Sequence, residues 1–303
     1  MIAAAVSIGI GAGLGEAVHP PASAGAVEAR RDTTGEEMGA DLERLLGRAD
    51  SAAAVEAPAP RPASPALVAA RAVLASAGIE SGARAAEVQT ALSRLSARVG
   101  RKSDPDALRM AFRAYFNYRA AHPEEVRKPY LYFVDYGLDS RTPRGWVFDM
   151  DALKVVDGPF TVAHGRGSAP EGEGVPTLFS NRSGSATSSL GLFLAQEVYE
   201  FTGHAGGQVY RSIGMRMRGL SGRFNSAARE RRVVAHGAPY VTPDKAGRSE
   251  GCPAMEPERA RELLPKLGGG GLVFLFSPRD RTWLREDPWA SGGEVPPVPA
   301  MGD

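Results

Sequence analysis

Cys252 is the only cysteine in 303 residues, and His236 stands sixteen positions before it. A thiol becomes a strong nucleophile only as its thiolate, so a cysteine that does chemistry needs a base brought within hydrogen-bond reach by folding. The residues between the two suit such an encounter. Val233 and Val234 read as a buried strand leading into His236, Pro239 to Gly251 supply loop residues, and Gly251-Cys252-Pro253 reads as a tight turn. The chemistry on offer is acyl transfer. His236 takes the thiol proton, and backbone N–H groups at Gly251 and Cys252 hold the oxyanion that forms on the attacked carbonyl. The competing reading of a lone cysteine is a buried residue that never reacts.

The wording of this stretch goes further. His236-Gly237-Ala238-Pro239-Tyr240 and Ser249-Glu250-Gly251-Cys252 resemble the L,D-transpeptidase catalytic domain, the YkuD-like family of cell-wall enzymes, and Gly247 to Ala254 carries the Gly-Arg-Ser-x-Gly-Cys-Pro-Ala form of its murein L,D-transpeptidase branch. Val162 to Ser168, Phe179 to Asn181, Ser188 to Gly191 and Asn225 to Arg232 add segments of that branch in family order, so the resemblance covers about residues 128 to 279. It implies a mainly β fold and a cysteine acyltransferase that cuts a peptidoglycan stem tetrapeptide between its third residue and the fourth, a D-residue. It also implies that the Gly237 carbonyl orients the imidazole, and it places a family histidine at His164, which, at a strand end beside a Gly-rich loop, reads as a substrate-binding or structural-network residue. Tyr240, Arg248 and Ser249 are further substrate-binding candidates. Two departures stand out: Glu250 replaces a second family histidine, and Pro253-Ala254 replace an arginine after the cysteine, whose charge Arg248 is expected to supply. The acyl acceptor stays open between a stem amine, giving cross-links, water, giving L,D-carboxypeptidase activity, and a protein lysine. A different class of function, a peptidoglycan-binding module that keeps the fold without turnover, is the alternative.

No cofactor and no metal is expected. His164, His204 and His236 with Cys252 lack the short ligand spacings of a zinc site, and neither glycine run has the register of a phosphate loop. A formal net charge of +1 gives no overall pull toward nucleic acid or acidic lipid. Arg211, Arg216, Arg218, Arg223, Arg229, Arg231 and Arg232 do cluster, with only Glu230 among them, and read as a solvated face that would also suit an anionic wall polymer.

The elements that must position these residues follow from period and punctuation. Residues 1–24 read as a signal peptide, with an apolar core too short to span a bilayer and Ala22-Ser23-Ala24 as its cleavage site, so the protein is expected in the periplasm or cell envelope with no stable membrane span. Residues 25–65, rich in Ala and Pro, read as a flexible linker. Residues 66–127 read as helical, with breaks at Gly78, Gly82 and Gly100, and with Asp104 and Pro105 opening a helix whose stripe is Leu108, Phe112, Tyr115 and Arg119. From 128 to 286 the period turns strand-like: 130–136, 145–150, 155–163, 208–213, 232–235 and 272–276 read as strands, and 191–198 is ambiguous. Such runs without long intervening helices predict a mainly β sandwich or barrel, broken by one helix over Pro257 to Leu267. Residues 287–303, rich in Gly and Pro, read as a disordered tail.

Overall fold

The computed structural model describes residues 65–291, with side chains from residue 81, so the signal-peptide and linker expectations lie outside the described residues. Two helices come first: α1 (Pro65–Val99) and α2 (Ala107–Ala121). Strands β1 (Tyr130–Asp135), β2 (Gly145–Asp149), β3 (Lys154–Phe160), β4 (His164–Gly165), β5 (Gly191–Ala205) and β6 (Gln208–Gly219) follow. After these come β7 (Val234–Gly237), β8 (Val241–Thr242), β9 (Lys245–Ala246), β10 (Arg248–Ser249) and β11 (Ala254–Met255). The chain then forms α3 (Pro257–Leu267), β12 (Leu272–Phe276) and α4 (Arg281–Glu286).

Eight strands form one mixed sheet in the order β11-β7-β6-β5-β12-β1-β2-β3, parallel at β1–β12 and β11–β7 and antiparallel elsewhere. Its centre is apolar on both faces. All five residues of β12 are buried, and β1 is buried from Leu131 to Asp135, as expected of strands covered on both sides. Side chains alternate between faces, so Leu131 and Phe133 join the face where Phe112 of α2 meets Phe148 edge-on, while Tyr132 stacks on Phe160 beneath Arg259 of α3. The mainly β expectation and the helix over Pro257–Leu267 agree with this architecture. Among the described residues no helix is long and apolar enough to cross a membrane.

Several boundaries differ from expectation. Helix α1 runs through Gly78 and Gly82 without a break, since an isolated glycine costs a helix only about 1 kcal/mol, and it stops before Gly100, which takes φ +64. Helix α2 starts at Ala107 rather than Pro105, because the Asp104 carboxylate accepts the Asp106 N–H at 2.8 Å and closes a turn ahead of it. The ambiguous 191–198 segment is strand and continues to Ala205, where Gly206 and Gly207, both with positive φ, turn the chain into β6. Residues 287–291 are not a loose tail. Trp289 is buried against Tyr118 and His122, and Asp287, fully buried, accepts N–H groups from Trp283, Trp289 and Ala290.

Candidate active site

Strand β7 carries His236 between two neighbours. Gly214 of β6 lies opposite it on one side and Ala254 of β11 on the other, the latter in parallel. A parallel neighbour needs a crossover, and residues 238–253 provide it as the β8–β9 hairpin, β10 and a tight turn. That crossover leaves Cys252 two residues ahead of the partner of His236. The cysteine is partly exposed, and its Sγ receives the Val234 N–H at 3.5 Å and faces the Arg232 carbonyl at 4.0 Å.

The turn that presents the sulfur is held from three sides. Gly251 takes φ +128, and a Cβ there would lie 2.7 Å from the Thr187 carbonyl oxygen, so only glycine fits. Ser249 Oγ donates to the Cys252 carbonyl at 2.7 Å and accepts the Gly251 N–H at 3.1 Å. Ser188 Oγ donates to the Gly251 carbonyl at 3.1 Å and accepts the Gly165 N–H at 3.0 Å, joining the turn to β4. The Gly251 N–H, expected as an oxyanion donor, is therefore engaged by Ser249, whereas the Cys252 N–H makes no hydrogen bond among the described residues.

His236 is buried, with Nδ1 3.1 Å from the carbonyl of Gly237. A carbonyl only accepts, so Nδ1 carries the proton and Nε2 keeps the free lone pair of a base. Burial pushes the imidazole below its usual range, and the Gly237 carbonyl pulls the other way. Phe201 and Tyr240 meet the ring edge-on at centroid distances of 5.7 and 6.4 Å, which places Tyr240 beside the imidazole. Gly237 has no room for a side chain, since a Cβ would lie 2.5 Å from Ser212 Oγ and 2.9 Å from Pro257 at the start of α3. The helix therefore packs behind Gly237. At Cys252 burial first, and then the Glu250 charge, push the thiol pKa up against the Val234 N–H and Arg231.

His164 sits in a different setting. Its Nδ1 faces Arg144 Nη2 at 2.7 Å and Arg248 Nη1 at 3.5 Å, groups that only donate, so Nδ1 is the acceptor and Nε2 carries the hydrogen. Fully buried, His164 is pushed down to about 2 by desolvation first and then by the two guanidinium charges. Arg144 is itself fully buried. It donates to the Val162 and Leu138 carbonyls and lies over the Tyr136 ring, and burial brings it down to about 10. Arg248 also donates to the backbone carbonyls of Pro170 and Glu173. It braces the 170–173 loop beside His164. A cleft of about 580 Å³ opens beside β10, its lining including Arg166, Glu173, Lys245 and Arg248.

Sequence reasoning had no view of Ser188, Arg144 or Arg231 as site residues, because their partners lie far along the chain. Four members of the basic cluster are also ion-paired. Arg216 and Arg229 share Glu197, at 2.9 and 3.4 Å, while Arg218 meets Glu125 and Arg223 meets Glu286. Glu250 is paired with Arg166 at 2.7 Å. Among the described residues, His122, Glu124 and Glu125 come close enough to share a metal ion, but Glu125 already accepts from Tyr118 and Arg218.

A family profile described as L,D-transpeptidase catalytic domain, YkuD_2, matches residues 100–276, more than half of the chain. Of the solved structures, an L,D-transpeptidase from Mycobacterium smegmatis aligns at 17% identity and TM-score 0.29, over 49% of this chain and 58% of that one. The Enterococcus faecium L,D-transpeptidase aligns at 16% and 0.29, over 49% and 50%. One from Stackebrandtia nassauensis aligns at 14% and 0.30, over 57% and 68%. The first two alignments thus span only about half of the solved chain. No curated protein matches.

Proposed function

Since the chain belongs to the L,D-transpeptidase catalytic-domain family, we propose that it transfers acyl groups on peptidoglycan stem peptides with Cys252 as nucleophile and His236 as base. The observation that carries this reading is the hydrogen bond from His236 Nδ1 to the Gly237 carbonyl, which leaves Nε2 as the proton acceptor one strand away from the cysteine turn. In the first half-reaction the Cys252 proton passes to His236, and the sulfur attacks the carbonyl of the third stem residue. A tetrahedral oxyanion forms and is received by the Cys252 N–H. The C–N bond then breaks, the fourth D-residue leaves with the proton from His236, and a thioester remains. In the second half-reaction an amine of another stem gives up a proton to His236, attacks the thioester and releases the thiol as a new amide forms.

The cleft beside β10 suits a charged peptide. Lys245 there offers a partner for a stem carboxylate, beside Arg166 and Arg248, which Glu250 and loop carbonyls already engage, and the aromatic groups around His236, Phe201 and Tyr240, offer an apolar wall for the acyl chain. His164, buried in β4 beside β10, braces Arg144 and Arg248, and Ser249 acts through the turn instead of touching substrate. Acting on wall peptides, the protein would work outside the cytoplasmic membrane, in the periplasm or cell envelope.

The test is incubation of the purified protein with disaccharide tetrapeptides, followed by intact-protein and product mass spectrometry. A thioester adduct on Cys252 with release of the D-residue is expected, and cross-linked dimers or tripeptides then identify the acceptor as amine or water. Intact, unmodified tetrapeptide and protein after incubation would replace this reading with that of a wall-binding module.

A further inference from the structure

Arg231 lies in the approach to β7, and its guanidinium is fixed by four acceptors. Nη1 donates to the Ser180 carbonyl at 2.7 Å and to Ser189 Oγ at 2.5 Å, and Nη2 donates to the Thr187 carbonyl at 2.7 Å and to Ser185 Oγ at 3.3 Å. All four are neutral. Among the described residues no carboxylate pairs with Arg231, although Arg216, Arg218, Arg223 and Arg229 nearby in sequence each have a glutamate. A partly buried guanidinium without a counter-ion is costly, and it favours whatever negative charge forms within its reach. The cysteine turn is within that reach. Nη2 stands 3.6 Å from the position a Cβ on Gly251 would take, one residue before Cys252. The Thr187 carbonyl that fixes Nη2 is the same group that forbids a side chain on Gly251, so cation and turn are held in register by one peptide.

We infer that Arg231 is a positioning residue that supplies the counter-charge for the Cys252 thiolate. This rests on Cys252 being the nucleophile of the proposed reaction. The other polar groups around the cysteine turn and its neighbouring strand do not offer that charge. Among the described residues His236 is buried with a lowered pKa and no carboxylate beside it to support an imidazolium, and Glu250 is of the wrong sign and already held by Arg166. Tyr136, Tyr199, Tyr210 and Tyr240 are all raised, by burial first and also by Cys252, and stay neutral near neutral pH. Burial holds the thiol pKa up and Arg231 opposes it.

The experiment measures the rate of Cys252 alkylation against pH in the full-length protein, wild type, Arg231→Lys and Arg231→Gln. Arg231→Gln is expected to move the midpoint up by about one pH unit, a roughly tenfold slower reaction below it, while Arg231→Lys, which keeps the charge but loses the fork, stays near wild type. Equal midpoints in folded wild type and Arg231→Gln, or equal shifts in Lys and Gln, would overturn the inference. If Arg231→Gln fails to fold, the wild type alone decides. A guanidinium beside the sulfur raises the ratio of anionic iodoacetate to neutral iodoacetamide rates above that of a free small thiol, and a ratio at or below that value rejects the idea. Alkylation needs no peptidoglycan, so a charge-tuned thiol that leaves tetrapeptides untouched would count against the proposed function and not against this one.

Discussion

Two histidines lie within a few strands of one another, and the groups on their Nδ1 atoms give them opposite chemistry. The Nδ1 of His236 meets a carbonyl, which leaves Nε2 bare and basic, whereas that of His164 meets two guanidinium groups, which puts the hydrogen on Nε2 and leaves that atom buried without a partner. Both are buried and both have lowered pKa values, so burial does not distinguish them. What differs is whether the neighbour accepts or donates. A histidine next to a donor is spent as an acceptor, and one next to an acceptor is available as a base.

The largest effects should separate the two residues. Cys252→Ala is expected to abolish turnover of tetrapeptides, and His236→Gln to lower it by about two to four orders of magnitude, while His164→Gln keeps it within about one order. Product analysis of the three variants side by side checks this, and comparable losses at the two histidines would break the contrast. The pH dependence sharpens it. Because the folded pKa of His236 is depressed, activity should be present above that pKa and fall as pH drops through it, with the acid limb of kcat/KM centred below about 6.5.

Ser188 bridges the two regions, and Ser188→Ala leaves the buried Gly165 N–H and Gly251 carbonyl without it. A loss of about 2 to 3 kcal/mol in urea unfolding is expected, together with reduced activity. Next in size is linkage at His164. Its folded pKa, about 2, lies below the unfolded value, so the unfolded chain binds the extra proton between those limits. Its contribution is complete above about pH 6.5 and shrinks as pH falls, by about 2 kcal/mol at pH 5. Denaturation of wild type and His164→Gln at pH 7.5 and pH 5 reads this as a smaller pH dependence in the variant. The smallest effect is expected at Arg232, whose φ of +56 is unfavourable for a side chain; Arg232→Gly should gain about 0.5 to 1 kcal/mol in thermal or urea unfolding.

Much of this site was legible in one short stretch because the strand, crossover and turn that hold His236 and Cys252 are consecutive in sequence. Gly237 could be placed on the imidazole from resemblance alone, since it is the next residue. Arg231 and Ser188 could not be assigned, because their roles depend on loops about forty to sixty residues away meeting the cysteine turn. The setting of Arg248 was out of view for a related reason: charge is visible in a sequence, but not the carbonyls of Pro170 and Glu173 that hold it. In the fold, periodicity located β1, β2 and β12 to within a residue because their apolar runs are bounded by polar or turn-forming residues, but it stopped short on β5 and β6. Their outer halves alternate between partly buried and exposed residues, and they are held by pairing with each other rather than by a core.

The family match ends at residue 276, yet the chain goes on to lay Trp283 against Phe274 and Phe276 and to seat Trp289 on Tyr118, with its indole N–H on the Leu220 carbonyl. A recombinant fragment trimmed to the matched segment would strip two indole rings from the central strand and the second helix and expose aromatic surface to solvent. Expression and crystallisation work should therefore keep the polypeptide at least through Ser291.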